Sequence, residues 1–156
     1  MIELKTAVGT ALQIEHLVID YNGTIATDGT LIAGVDALIG ELARSVTVHI
    51  LTADTHGSVE KQVGHLPCTI ERIAAGREDV AKQAFVRDLE GAVSVCVGNG
   101  RNDRLMLREA ALGIAVIGRE GASADALDGA DIVVTSIIDA LELVLKPLRL
   151  LATIRI

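Results

Sequence analysis

Short apolar runs that alternate with amphipathic stretches constrain this chain more than any other feature of it. "HLVID" is followed by a helical pattern through "VDALIGELAR", then "VTVHIL", then "SVEKQVGHL", then the strand-like "CTIERI". A helix through "REDVAKQAFVRDLE" precedes the run "VSVCV". The alternation continues with the helix "NDRLMLREA", the strand "LGIAVI", the short helix "ASADAL", the strand "DIVVT" and a last helix from Ser136 onward. Parallel strands need a crossover, and the crossover helix covers the sheet. The order therefore predicts an α/β fold: a three-layer, Rossmann-like parallel sheet with helices on both faces. Ahead of it, "IELKTAVGTALQI" alternates apolar and polar residues on either side of Val8-Gly9 and reads as a β-hairpin extension over residues 1–14.

Half of the residues are apolar, yet Tyr21 and Phe85 are the only Phe, Tyr or Trp side chains. The core must then be built from Val, Ile, Leu and Ala, which suits buried parallel strands. With 156 residues and no Pro/Gly/Ser-rich divider, one domain over 1–156 is expected. A net charge of −7 without clustered Lys or Arg argues against nucleic-acid or anionic-membrane surfaces, since both need a concentrated positive field. The start lacks the apolar core of a signal peptide, and no apolar run is long enough for a membrane span. Cys68 and Cys96 sit in strand-like stretches without CxxC spacing, as buried thiols of a reducing cytoplasm would. His16, His49, His56 and His65 form no i,i+4 pair, so a zinc site is not expected.

In such a sheet, ligands bind beyond the C-terminal ends of the strands. Those ends carry Asp20 after "HLVI", Thr52 after "VTVHIL", and Gly98-Asn99-Gly100 with Asp103 after "VSVCV". Taken alone, the Asp-x-Asn-Gly at Asp20 is as good a turn as a catalytic loop. Together with Lys82, early in a helix, the set supplies a nucleophile, donors for an anionic oxygen and a metal ligand. These are the parts that phosphoryl transfer needs.

Through these stretches the chain resembles the haloacid dehalogenase superfamily of aspartate-nucleophile phosphotransferases. "DYNGT" is similar to its first motif, "ILTAD" to the second and Lys82 to the third. "VGNGRNDRLML" resembles the fourth, which in P-type ATPases runs Gly-Asp-Gly-x-Asn-Asp. The likeness continues through "REAALGIAVIGREGASADALDGADIVVTSI" and so covers nearly everything from His16 onward. The chain lacks the membrane helices and separate nucleotide-binding domain of the ATPases, and its motif spacing leaves no room for a cap domain. It therefore resembles the small, soluble, P-type-ATPase-like branch. The resemblance implies that Asp20 forms an aspartyl-phosphate, with Gly23 permitting the tight turn and Thr24 closing it. Thr52 and the N–H of Ala53 would hold a phosphoryl oxygen, and Lys82 would offset the charge on Asp20 and the phosphoryl group. Mg²⁺ would be held by Asp20, the main-chain carbonyl of Asn22 and Asp103, with Asn99 a further candidate ligand; Asn102 would orient the loop.

Two departures bear on activity. Phosphatases of the superfamily place an acid two residues after the nucleophile, where this chain has Asn22. General acid–base help contributes about 10²–10⁴-fold, so its loss implies slow hydrolysis or a persistent phosphoenzyme. Asn99 replaces a second acid and weakens the expected Mg²⁺ site. The expected function is a Mg²⁺-dependent phosphatase or phosphotransferase of slow turnover acting on a phosphorylated substrate. The alternative is a catalytically impaired binding or regulatory protein on the same fold. Need for Asp20 in phosphate release separates the two. The N-terminal hairpin is a candidate contact in a homo-oligomer or packs on its own domain. Arg101 and Arg104, beside the fourth motif, are candidates for meeting substrate phosphates or for plain solvated side chains.

Overall fold

The computed structural model describes residues 1–5 and 11–154. At the N-terminus β1 (Ile2–Lys5) and β2 (Ala11–Ile14) pair antiparallel, with Ile2 opposite Ile14. This is the expected hairpin; its expected turn at Val8-Gly9 lies outside the described residues.

From β3 (His16–Asp20) the chain forms a small hairpin, β4 (Ala26–Thr27) and β5 (Thr30–Leu31), and then alternates. The succession is α1 (Val35–Leu42), β6 (Thr47–Thr52), α2 (Ser58–Val63), β7 (Thr69–Arg72) and α3 (Glu78–Asp88). It continues with β8 (Ser94–Gly98), α4 (Arg104–Glu109), β9 (Leu112–Val116), α5 (Ala124–Gly129) and β10 (Ile132–Val134). The six main strands form one sheet in the order β10-β9-β8-β3-β6-β7, and every pairing in it is parallel.

Side chains of a strand alternate between faces, and β3 shows how this divides the core. Leu17 and Ile19 pack on one face with Val35 and Ile39 of α1, Val59 of α2 and residues of the helix after β10. Val18 points to the other face, among Val86 of α3, Met106 of α4 and Ala126 of α5. Because both faces are covered, β8 and β9 are buried at every position, which is why they read as continuous apolar runs.

Two local features differ from the sequence expectation. The β4–β5 hairpin was not expected, since two-residue strands carry no readable periodicity. Its signal is the dipeptide Asp28-Gly29, whose φ values of +51° and +77° fit a tight two-residue hairpin turn. The expected single C-terminal helix is two helices, α6 (Ile137–Leu145) and α7 (Pro147–Ile154). Pro147 forces Lys146 out of the helical region, to φ −120° and ψ 71°. Among the described residues, no helix is long and apolar enough to cross a membrane.

Candidate active site

The chain lays β6 and then β7 on one side of β3, and afterwards crosses back to place β8 on the other. Reversal of strand order opens a crevice at the C-terminal ends, here between β3 and β8. Asp20 closes β3, Thr52 closes β6, and Asn99 and Asp103 follow β8, so the register brings three of the four motifs to one rim.

The loop after Asp20 turns sharply because one carbonyl gathers it. The C=O of Tyr21 accepts from the N–H groups of Thr24, Ile25 and Ala26 at 3.2–3.3 Å. Gly23 sits at φ +77°, and a Cβ there would lie 2.4 Å from Asn99 Nδ2. Only glycine satisfies both the left-handed backbone and this close approach. Asn22 is exposed, whereas Thr24 is buried. The Tyr21 hydroxyl donates to the Gly29 carbonyl at 2.8 Å and so ties the β4–β5 hairpin to the loop.

Lys82 arrives from α3 with its side chain buried. Its Nζ donates to Asp20 Oδ1 at 2.6 Å and to Asp103 Oδ1 at 2.7 Å. One ammonium between two buried carboxylates leaves a surplus negative charge, and the donors are not shared evenly. Asp103 Oδ2 also accepts from the N–H groups of Asn99 and Gly100, at 2.9 and 2.8 Å. Among the described residues, Asp20 accepts only from Lys82 and the Thr24 hydroxyl, the latter at 3.1 Å. Burial, with the Asp103 carboxylate adding to it against Lys82, pushes Asp20 up to about 7. Burial alone would lower Lys82, but Asp20 and then Asp103 outweigh it and hold the ammonium above the ordinary lysine value. Asp20 is thus the undercompensated member of the triad.

Removing the lysine exposes that imbalance. In metal-free protein, kept so with a chelator, Lys82→Met is expected to cost about 3–5 kcal/mol at neutral pH, because two buried carboxylates lose their shared cation. Asp20 would then hold its proton more tightly folded than unfolded, since burial and the Asp103 carboxylate act on it with no ammonium to oppose them. Their repulsion is absent below the unfolded carboxylate pKa and grows as pH rises. Chemical denaturation at several pH values checks this: the deficit should shrink toward pH 4 and widen toward pH 8.

The donor chemistry at Asp20 fits a hard divalent cation. Asp20 Oδ2 and Asn99 Oδ1 both lie 3.1 Å from Thr24 Oγ1, so two acceptors converge on a hydroxyl with one hydrogen to give. Oxygen donors beside surplus negative charge suit Mg²⁺. Among the described residues no three His, Cys, Asp or Glu side chains form a metal cluster. Main-chain, water and substrate oxygens would have to complete the shell. Asp103 accepts from Lys82 at Oδ1 and from the two amides at Oδ2, which leaves a lone-pair site on Oδ1.

The second motif is braced from below. Thr52 Oγ1 accepts from the Asp54 N–H at 3.0 Å, which leaves its hydrogen free to donate. Asp54 in turn accepts from the Ser58 hydroxyl and from the N–H groups of His56, Ser58 and Val59. These bonds, the Ser58 hydroxyl foremost, hold its carboxyl well below the usual carboxylate range. Ala53 lies between the two. Asn102 Nδ2 donates to Glu78 Oε2 at 2.7 Å and so ties the fourth motif to the start of α3.

Three side chains at this rim were not anticipated from sequence: Asp54, Glu78 and Glu120. Glu120 Oε1 accepts from the Asp28 N–H at 3.0 Å and links the loop after β9 to the β4–β5 hairpin. Each acts through a partner distant in the fold or through loop geometry, so no local pattern marks it. Arg101 and Arg104 each face an acid of α5. Arg101 Nε lies 2.6 Å from Asp125 Oδ2, and Arg104 reaches Asp125 and Asp128 at 3.8 and 3.5 Å. Cys68 and Cys96 are free thiols, half-buried and buried.

No protein-family model matches the chain. It is 42% identical over 90 residues to an uncharacterized protein of Methanocaldococcus jannaschii, covering 55% of this chain and 97% of that one. It is 30% identical over 148 residues to a soluble P-type ATPase-like phosphatase of the same organism, covering 92% of this chain. The chain spans 54% of the length of that second relative. In fold it is similar to 3-deoxy-D-manno-octulosonate 8-phosphate phosphatase from Moraxella catarrhalis, solved with a magnesium ion, a phosphate ion and KDO. There the TM-score is 0.71 at 16% identity, covering 89% of this chain and 90% of the other. Likeness in sequence along most of the chain joins likeness in fold: the chain has the fold of haloacid dehalogenase superfamily hydrolases and is similar in sequence to a soluble P-type ATPase-like phosphatase.

Proposed function

We propose that this protein is a Mg²⁺-dependent phosphatase or phosphotransferase that works through an aspartyl-phosphate on Asp20, with slow turnover. The observation that carries the reading is the buried Asp20–Lys82–Asp103 triad at the crevice between β3 and β8. The Asp20 carboxylate attacks phosphorus in line with the ester oxygen, and the new O–P bond forms as the ester P–O bond breaks. Thr52 donates its free hydroxyl hydrogen to a phosphoryl oxygen, joined by the Ala53 N–H, and Gly23 and Thr24 shape the same cradle. Lys82 stays protonated and offsets the charge that the phosphoryl group brings to Asp20. Asp20, the Asn22 carbonyl and Asp103 would hold Mg²⁺, with Asn99 a further candidate ligand, and the ion would neutralise phosphate charge when bound. Asn102 positions the loop through Glu78.

Asn22 has no proton to give at working pH, so the departing oxygen takes its proton from water, and no side chain there activates water against the phosphoenzyme. That is the source of the slow turnover. The reading takes residues 1–156 as one cytoplasmic domain without a cap, which leaves room for a lid from a second copy at the hairpin. Asn22 and Asn99 also favour a second reading, a phosphate-binding regulatory protein without turnover.

Intact mass after acid quench, with Mg²⁺ and acetyl phosphate, tests the choice. A gain of one phosphoryl group, removed by hydroxylamine, is expected. Neither adduct nor released phosphate would shift the reading to the binding protein.

A further inference from the structure

A cavity of about 430 Å³ opens beside the catalytic loop, between the β4–β5 hairpin and the ends of β9 and β10. Thr24 forms part of its wall and also hydrogen-bonds Asp20 Oδ2 at 3.1 Å, so one side chain joins the cavity to the nucleophile. Gly118 continues that wall, and a Cβ on it would lie 3.5 Å from the Gly23 carbonyl oxygen. Ile32, Val116 and Ile137 make one side apolar, while Thr27 and Thr135 bring hydroxyls. The size suits a small ligand.

Arg119 stands on the same lining and is exposed. Among the described residues it forms no ion pair, whereas Arg101, Arg104 and Arg108 are each paired with an acid of α5. The nearby carboxylates have other partners: Glu120 takes the Asp28 N–H, and Asp139 takes the Ser136 hydroxyl. In a chain of net charge −7, an uncommitted guanidinium at the catalytic rim is a local anion site.

We propose that this cavity receives the organic part of the substrate and that Arg119 selects one carrying a second anionic group on a short carbon body. This rests on the phosphatase reading of the same rim. The shared chemistry is a small phosphomonoester with either a carboxylate or a second phosphate beyond the reacting one. Arg119 is a specificity-determining residue, since it stands on the cavity lining and apart from the Asp20–Lys82–Asp103 triad.

The test is isothermal titration of the natural chain and Arg119→Met, with Mg²⁺, using matched probes. 3-Phosphoglycerate is set against glycerol 3-phosphate, and 1,3-propanediol bisphosphate against 3-hydroxypropyl phosphate. The natural chain is expected to prefer one doubly anionic probe at least about tenfold over its partner, as a charge-assisted contact allows. Whichever pair shows the larger preference identifies the anion. Arg119→Met should remove most of that preference, Arg119→Lys should keep part, and Arg119→Glu should reverse it. Equal affinity within both pairs for the natural chain, or an equal loss for both members of a pair in Arg119→Met, overturns the proposal. Relative affinity and phosphoenzyme formation are separate readouts, so the two readings fail separately. A phosphoenzyme from acetyl phosphate without any probe preference sinks the pocket alone. A preference without phosphoenzyme or phosphate release sinks the catalytic reading and keeps the pocket.

Discussion

Asp20→Asn is expected to lower phosphate release by at least about 10⁴-fold and to abolish the acid-stable adduct, because a neutral amide cannot attack phosphorus. Steady-state phosphate release beside intact mass measures both. The same substitution should make the metal-free protein more stable, in a pH-dependent way. Burial and Asp103 hold the Asp20 carboxyl up to about 7 in the folded chain, above its unfolded value. A group whose pKa is raised on folding stabilises below the unfolded pKa and loses that contribution as pH rises through the folded one. Asparagine does not titrate, so its stability advantage over the natural chain should be small at pH 5 and larger at pH 8. Thermal melts at the two pH values, with chelator present, give the sign. A variant that loses activity by unfolding would show the opposite shift.

Asn22→Asp should act in the other direction on turnover. Asn22 is exposed two residues past the nucleophile, and a Cγ carboxyl there replaces an amide of the same shape. If the natural chain stalls because no side chain protonates the leaving oxygen or activates water, the acid restores both tasks in sequence. Phosphate release should rise by about 10²–10⁴-fold, the range that a positioned acid–base group contributes. Rapid-quench kinetics should show the phosphoenzyme reaching a lower steady level while release quickens. An unchanged rate with an unchanged adduct would remove Asn22 as the reason for slow turnover.

The strand ends were legible because each polar residue terminates an apolar run, and the parallel order of such runs fixes which end faces the ligand. Asp20 and Thr52 could be picked out without coordinates for that reason, and Asp103 by its place in the Gly-rich turn after β8, whereas Lys82, inside a helix, was marked by the motif resemblance. What their side chains do to one another could not. Whether Lys82 faces one carboxylate or two depends on the angle at which α3 meets β8, and sequence spacing does not encode that angle. Arg101 and Arg104 read as free cations until α5 placed Asp125 and Asp128 beside them. The β4–β5 hairpin was hidden because Asp28-Gly29 is its only local mark, and its anchors, Glu120 and Gln62, lie far along the chain.

The strand that carries Asp20 is the first of the main sheet to be made, and it lies between two strands made later. One neighbour, β6, follows soon after; the other, β8, emerges only after β7 and α3 are complete. Until then β3 has one unpaired edge of backbone donors and acceptors, flanked by Leu17, Val18 and Ile19. On a ribosome this interval is an opening for mispairing with another chain. Closing the sheet late also means that the charged triad cannot assemble until β8 is in place, since Asp103 follows the last partner of β3.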